Sequence, residues 1–270
     1  LIDIEGNLIG INTMIVTRSG GYMGIGFAIP INMAKNIMEQ LIYKGEVSRG
    51  WLGVSIGDID QNMKEALGLD SRNGVLINGV FKGQPAEKAG IKIGDVITSI
   101  NGLKTNNAEV LKNTVASITP GKKVPAEIIR NGKKITLQVK LVSRDEREIS
   151  KMSSGSIDRD ESTEEKETDS SKKMGFSVSS ITNEIREQLQ LESGVKGVIV
   201  TSVDQSSKAA RKGLRKYDII KKIKVKNNNI VVINNVKSFK KATAQIKTND
   251  SVLMYVERGG DSFFIAFKAN

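Results

Sequence analysis

The chain has 270 residues, enough for about two domains, with a net charge of +11 and neither cysteine nor histidine. Lack of cysteine excludes disulfides, thiolate metal sites and cysteine nucleophiles, and lack of histidine excludes the usual neutral-pH base and any histidine-dependent triad. No apolar run reaches the roughly 18 residues that span a bilayer, and the chain opens on Leu1-Ile2-Asp3-Ile4 without an initiator methionine or basic leader, as expected of a fragment whose targeting segment lies upstream.

Leu1 to Ile4 and Leu8 to Asn12 are apolar runs joined by Glu5-Gly6-Asn7, which predicts a β-hairpin. After a loop at 18–23, Gly24-Ile25-Gly26-Phe27-Ala28-Ile29-Pro30 reads as a strand, with Gly24 and Gly26 on one face where another backbone can approach. Its glycine spacing fits neither a dinucleotide fingerprint nor a phosphate loop. Asn32 is placed to cap a helix from Met33 to Lys44, stopped by Gly45, with Met33, Ile37 and Leu41 on one stripe.

At Arg49-Gly50-Trp51-Leu52-Gly53-Val54 the texture changes to short strands and turns. The glycines allow backbone N–H groups to converge on a carboxylate, and Trp51, Leu52 and Val54 can wall an apolar pocket; a strand start that binds nothing is the plainer alternative. Strands are predicted near 54–56, 74–80, 95–100, 124–130 and 134–141, the last two joined by Asn131-Gly132, with a helical turn at 84–90 and a helix at 107–118. This is a small α+β domain over 46–142. A peptide strand laid beside Val54 to Ile56 would find a second wall in Leu111 and Val115, four apart on the helix, unless both serve only the core. Arg49 offers a charge for a terminal carboxylate or serves solubility.

Residues 143–173 are dominated by Ser, Asp, Glu and Lys and cannot bury enough apolar surface to offset ordering, so a disordered linker is expected. Asp158-Arg159-Asp160 starts like a calcium loop, but Ser162 and Thr163 stand where a ligand and the glycine belong; no metal or cofactor is expected. Beyond the linker the pattern returns. Gly74-Val75-Leu76-Ile77 is matched 123 positions later by Gly197-Val198-Ile199-Val200, Gly90-Ile91 by Gly213-Leu214, and Asp95-Val96-Ile97 by Asp218-Ile219-Ile220. Leu52-Gly53-Val54 meets Met174-Gly175-Phe176 at a shift of 122, so 174–270 is a second copy of the domain. It departs at Gly94, replaced by Tyr217, and at Pro85, replaced by Lys208, so its binding is expected to differ or be absent.

The run Pro85-Ala86-Glu87-Lys88-Ala89-Gly90 to Asp95-Val96-Ile97, with Ile100-Asn101-Gly102, resembles the PDZ domain, which binds peptide C-termini by adding a strand. Taken with Gly24 to Pro30, Asn32-Met33-Ala34-Lys35-Asn36 and Arg49 to Val54, the chain looks like the C-terminal part of a bacterial HtrA/Do-type serine protease. The resemblance is specific through about residue 142 and weaker from Met174 onward. It implies that residues 1–45 are the last strands of a chymotrypsin-like β-barrel and a connecting helix, with Gly24, Ile25, Gly26 and Phe27 beside the specificity pocket. It implies further that the catalytic residues lie upstream of Leu1, so that no catalytic residue is expected here and the chain alone is expected to be inactive. Trp51 to Val54 would be the carboxylate-binding loop of the first PDZ domain, and Met174, Gly175 and Phe176 that of the second.

The function expected is the peptide-binding region of a periplasmic quality-control endopeptidase. Its partners would be unfolded polypeptides or peptide C-termini, the upstream protease domain, and further copies in a trimer-based homo-oligomer. A non-enzymatic PDZ adaptor is the alternative. Residues 174–270 carry 17 basic and 8 acidic side chains, among them Lys208, Arg211, Lys212, Arg215, Lys216, Lys221, Lys222, Lys224 and Lys226. With few aromatics to stack on bases, however, no nucleic acid is expected as partner. A histidine-free Ser/Lys hydrolase is discounted because Ser170 and Lys173 fall in the linker.

Overall fold

The computed structural model describes residues 1–16, 24–143, 168–171, 174–192, 194–226 and 228–270. The expected loop at 18–23, the calcium-like Asp158-Arg159-Asp160 and the middle of the expected linker lie outside the described residues.

Strands β1 (Gly10–Ile15) and β2 (Gly26–Pro30) pair antiparallel and lead into α1 (Ile31–Lys44). The predicted N-terminal hairpin shrinks to one bridge, Ile2 to Leu8. The Asp3 carboxylate bends the chain there, accepting the backbone N–H of Glu5 at 2.9 Å and of Asn7 at 2.8 Å, and this local turn competes with ladder pairing. Strand β2 starts two residues later than expected, because Gly24, at φ +85°, lies outside the extended region, so Gly24 and Gly26 do not share a strand face. Pro30 rather than Asn32 is the N-cap of α1, and Gly45 ends the helix with its N–H on the Leu41 carbonyl.

The first repeated unit runs β3 (Gly50–Trp51), β4 (Val54–Asp58), α2 (Gln61–Leu67), β5 (Val75–Val80), α3 (Pro85–Lys88), β6 (Val96–Ile100), β7 (Leu103–Lys104), α4 (Ala108–Ser117), β8 (Lys123–Arg130), β9 (Lys133–Lys140) and β10 (Val142–Ser143). Its sheet has the order β4-β5-β6-β8-β9, with β7 beside β6, while β3 pairs with β10. The second unit runs β11 (Thr168–Ser171), β12 (Phe176–Ser179), α5 (Asn183–Gln188), β13 (Val198–Val203), α6 (Lys208–Arg211), β14 (Ile219–Val225), β15 (Val231–Val232), α7 (Val236–Thr243), β16 (Ser251–Arg258) and β17 (Asp261–Lys268). From β12 onward its sheet repeats the first, β12-β13-β14-β16-β17 with β15 beside β14, and it gains β11 at the β12 edge. Two stretches assigned to the linker are therefore strand residues, Ser143 in β10 and Thr168–Ser171 in β11.

Helices α2 and α5 escape a reading based on long periodic runs because each is shorter than two turns and rests on its cap. The Asp60 carboxylate accepts the Met63 N–H at 2.8 Å, and the Thr182 hydroxyl accepts that of Ile185. Each unit has its own core, Leu52, Ile77, Ile97, Leu111 and Val139 in the first and Met174, Phe176, Ile220, Phe239 and Phe267 in the second. A further apolar cluster joins the units: Ile59, Ala66, Leu76 and Val96 of the first meet Leu253, Tyr255, Phe264 and Ala266 of the second. Two ion pairs flank it, Lys212 with Asp60 at 2.9 Å and Lys268 with Glu65 at 2.8 Å. A hairpin wet on one face alternates, as β9 does, whereas the central five residues of β16 are all buried because the first unit covers the outer face.

Candidate functional site

The groove of the first unit is built by clamping α4 against β3 and β4 at both ends. Asn107 caps α4 through the Val110 N–H, and Asp58, the last residue of β4, accepts the Ala108 N–H at 2.7 Å. At the other end Gly50 lies so close under the helix terminus that a Cβ there would stand 2.3 Å from the Val115 carbonyl oxygen and 2.7 Å from that of Ile118. Between the clamps opens a groove of about 590 Å³. Its lining includes Arg49, Trp51, Leu52, Gly53, Val54, Ile56, Leu111 and Val115, all eight residues that the sequence singles out for this unit.

They are not equivalent. Leu52, Leu111 and Val115 are buried and belong to the core as much as to the groove floor, whereas Trp51, Val54 and Ile56 are half-buried and Arg49 is exposed. Sequence reasoning missed Phe81, whose ring stacks on Trp51 with centroids 6.2 Å apart, and also Ser55, Lys112, Asn113 and Ala116. The one available signal for Phe81 was an aromatic residue directly after an apolar strand. Arg49 and Lys112 are the charged residues of the lining, and both are cations.

The loop at its head holds a fixed backbone. The Leu52 carbonyl accepts the Ala86 N–H at 2.9 Å and the Gly53 carbonyl accepts that of Phe81 at 3.0 Å. In a trans peptide the N–H opposes the preceding carbonyl, so the N–H groups of Gly53 and Val54 turn away from α3 and β5, toward the groove. Gly53 is required twice over: its φ is +77°, and a Cβ would sit 2.3 Å from the Gln84 Cβ. Two cations and two inward-turned N–H groups suit an anionic chain end, and the free edge of β4 suits an extended backbone.

The second unit repeats the loop. Gly175 has φ +73°, its Cβ position lies 2.3 Å from the Ser207 Cβ, and its carbonyl accepts the Asp204 N–H at 2.8 Å. Met174 and Phe176 are buried, with Phe176 packed against the rings of Phe239 and Phe267. Among the described residues β4 has no partner on its outer edge, whereas the equivalent edge of β12 is taken by β11. The Gly94-Asp95 turn takes no part in lining the first groove. Asp95 is 1% exposed and holds a two-point ion pair with Arg130, 2.7 Å at each contact, while Arg130 also donates to the Gly90 carbonyl. Asp218, Arg258 and the Gly213 carbonyl reproduce this lock in the second unit. The Asp95 carboxylate raises the pKa of Arg130, and Asp218 raises that of Arg258.

Ile25 and Phe27 are exposed, and among the described residues the strand Gly26–Pro30 pairs with β1 alone. Exposed apolar side chains run through this N-terminal region, including Ile11, Met14, Met38 and Ile42. Much of the basic run of the second unit is engaged internally: Lys221 pairs with Glu257 and Lys226 with Asp250, and burial lowers the pKa of Lys222 and Lys224. Among the described residues no helix is long and apolar enough to cross a membrane.

Residues 50–141 match the PDZ domain family. Over 99% of its length the chain is 38% identical to a protein named "Probable periplasmic serine endoprotease DegP-like" from Pseudomonas putida (strain GB-1), of which it covers 53%. Over its full length it is 34% identical to a protein of the same name from Chlamydia trachomatis serovar D, of which it covers 50%. The solved structure titled "HtrA-type protease AlgW with tripeptide" is 40% identical over 53% of this chain and 48% of its own, with a TM-score of 0.46. The chain spans about half the length of the curated relatives it matches.

Proposed function

From a PDZ domain at residues 50–141 and homologues named DegP-like serine endoproteases along nearly the whole chain, we propose that this is the peptide-binding regulatory region of an HtrA-type serine endopeptidase of the periplasm. Residues 174–270 would be a second PDZ domain, a reading supported by the repeated strand order. The observation that carries peptide capture is the open groove between β4 and α4, with the N–H groups of Gly53 and Val54 turned into it and Arg49 and Lys112 on its walls. An extended peptide adds to β4, its carboxylate meets the loop, and an apolar terminal side chain lies among Trp51, Ile56 and Leu111. Residues 1–45 would close a protease barrel supplied from elsewhere in the parent protein. The exposed apolar side chains of that region support this reading, since a two-stranded sheet and a helix with uncovered apolar faces need a partner surface.

Calorimetry on the whole chain with one apolar-ended peptide, as free acid and as amide, tests the groove. A charge-assisted hydrogen bond is worth about 1.5–3 kcal/mol, so amidation is expected to weaken binding roughly 10- to 150-fold. Equal affinity for both forms overturns carboxylate recognition. The purified chain itself is expected to leave casein intact, since it carries no histidine base; sustained cleavage would contradict the regulatory assignment.

A further inference from the structure

We propose that the groove between β12 and α7 is a second strand-accepting site, and that its resident occupant is this chain's own segment Thr168–Ser171. The inference rests on the repeated topology and not on peptide binding by the first groove. Strands β4 and β12 hold the same place in their sheets, at the edge beyond β5 and β13, and helices α4 and α7 follow β7 and β15 in the same order. On β12 that edge is not open. Strand β11 lies antiparallel along it, Thr168 opposite Ser179 and Ser171 opposite Phe176, with the backbone of α7 close to that of β11.

The polarity is that of a ligand. The segment runs toward the Met174-Gly175 loop, so its C-terminal end arrives where the carboxylate of a peptide added to β4 would meet the Gly53 loop. The donor is aimed to match: Asp204 holds the Gly175 carbonyl at 2.8 Å, and the trans peptide turns the Phe176 N–H the opposite way, toward β11. In the first unit the positions equivalent at a shift of 122, residues 46–49, form no strand; Gly50 and Trp51 instead pair with β10.

Thr168-Asp169-Ser170-Ser171 has no apolar side chain to seat in a pocket. Its hold is therefore the backbone ladder, which any extended segment can form, made favourable by tethering: a strand joined to its partner by four residues acts at a high effective concentration. A free peptide must displace this tethered strand before it reaches β12, whereas β4 is open to it. The two copies of one module are thus divided into one groove that receives and one that is filled from within.

The test is hydrogen exchange, residue by residue, on the whole chain and on a variant carrying Asp169→Pro and Ser170→Pro. Neighbouring residues of a strand turn their N–H groups to opposite sides, so one of the two prolines removes a donor facing β12. In the unmodified chain the β12 amides facing α7 should exchange slowly and the β4 amides facing α4 freely. In the variant those β12 amides should exchange roughly 3- to 10-fold faster or more, while β14 and β16 keep their protection and report an intact fold. An amidated peptide spanning residues 166–173, added in excess, should restore protection in the variant and change nothing in the unmodified chain. Fast exchange at the β12 edge of the unmodified chain, or unchanged protection in the variant, overturns the proposal. Neither result bears on carboxylate binding at the first groove, which calorimetry reads separately.

Discussion

The two repeated units share strand order, the glycine loop at the head of β4 and β12, and a buried Asp–Arg lock, yet their edges and faces are used differently. The first keeps β4 open opposite α4 and lays α2 on the neighbouring unit; the second has its β12 edge paired with β11 and offers the outer face of β16 and β17 as the surface on which the first rests. The shared features are those a module needs to fold. The differing ones lie in the residues just before each loop and in the face turned to the other copy, so module identity does not fix module use.

The sharpest way to break the shared half of this comparison is to remove the locks. Replacing Asp95→Asn or Asp218→Asn leaves an arginine facing a lost carboxylate. Taking one partner from a buried pair costs about 3 kcal/mol, at the low end of the usual range because both arginines are partly exposed. Urea denaturation, with exchange of β6 and β14 amides to tell the units apart, should show similar losses in each. A loss confined to one unit would mean that the two locks are not equivalent.

A smaller effect is expected where the copies differ. Gly94 has φ +92°, and a Cβ there would stand 3.1 Å from Ile230 Cδ1 of the second unit; Tyr217 holds the matching position at φ +74° and is exposed. Gly94→Tyr should therefore cost about 1–3 kcal/mol and loosen the contact between units. Tyr217→Gly should change stability by no more than about 1 kcal/mol. Calorimetric melting of the two variants checks this, and equal effects would show that the interface does not select glycine at 94.

The smallest expected effect concerns the contact itself. Hydrogen bonds from Lys268 and Gln61 hold the Glu65 carboxyl below its usual value. A depressed carboxylate favours the docked, ionised state, so its contribution is present above about pH 4.5 and fades as pH falls through the lowered value. Trypsin has sites at Arg144, Arg147, Lys151, Arg159 and Lys166, in the polar stretch expected to be cut first. The two fragments should co-elute at neutral pH through the shared apolar cluster and separate more readily in acid, with Glu65→Gln blunting that pH dependence. Fragments that part at once at neutral pH would deny the interface; early cuts elsewhere would deny the expected order of cleavage.

Much of the first groove could be read along the chain because its parts are local. The loop, β4 and one face of α4 each lie within a few consecutive residues and carry their own signals, such as Gly53 and the spacing of Leu111 and Val115, although the structure makes Asn107 the cap of α4 and not its first residue. Phe81 was not legible, because its partner Trp51 is thirty residues away and nothing in either neighbourhood announces the stack. The roles of Leu111 and Val115 stayed open in the sequence for the same reason: a helix stripe shows which side is apolar, not whether that side meets a core, a groove or both.

By itself the sequence determined the internal repeat, at a shift of 122 to 123 residues, and the lack of any histidine base. These follow from composition, short-range periodicity and glycine placement. Tertiary structure alone decided that the first unit rests on β16 and β17, that Gly94 answers to Ile230, and that Thr168–Ser171 pairs with β12 while its counterpart, residues 46–49, forms no strand. Those outcomes depend on which surfaces compete for the same free edge or apolar face. That competition is settled by distances between residues far apart in the chain, which no local pattern encodes.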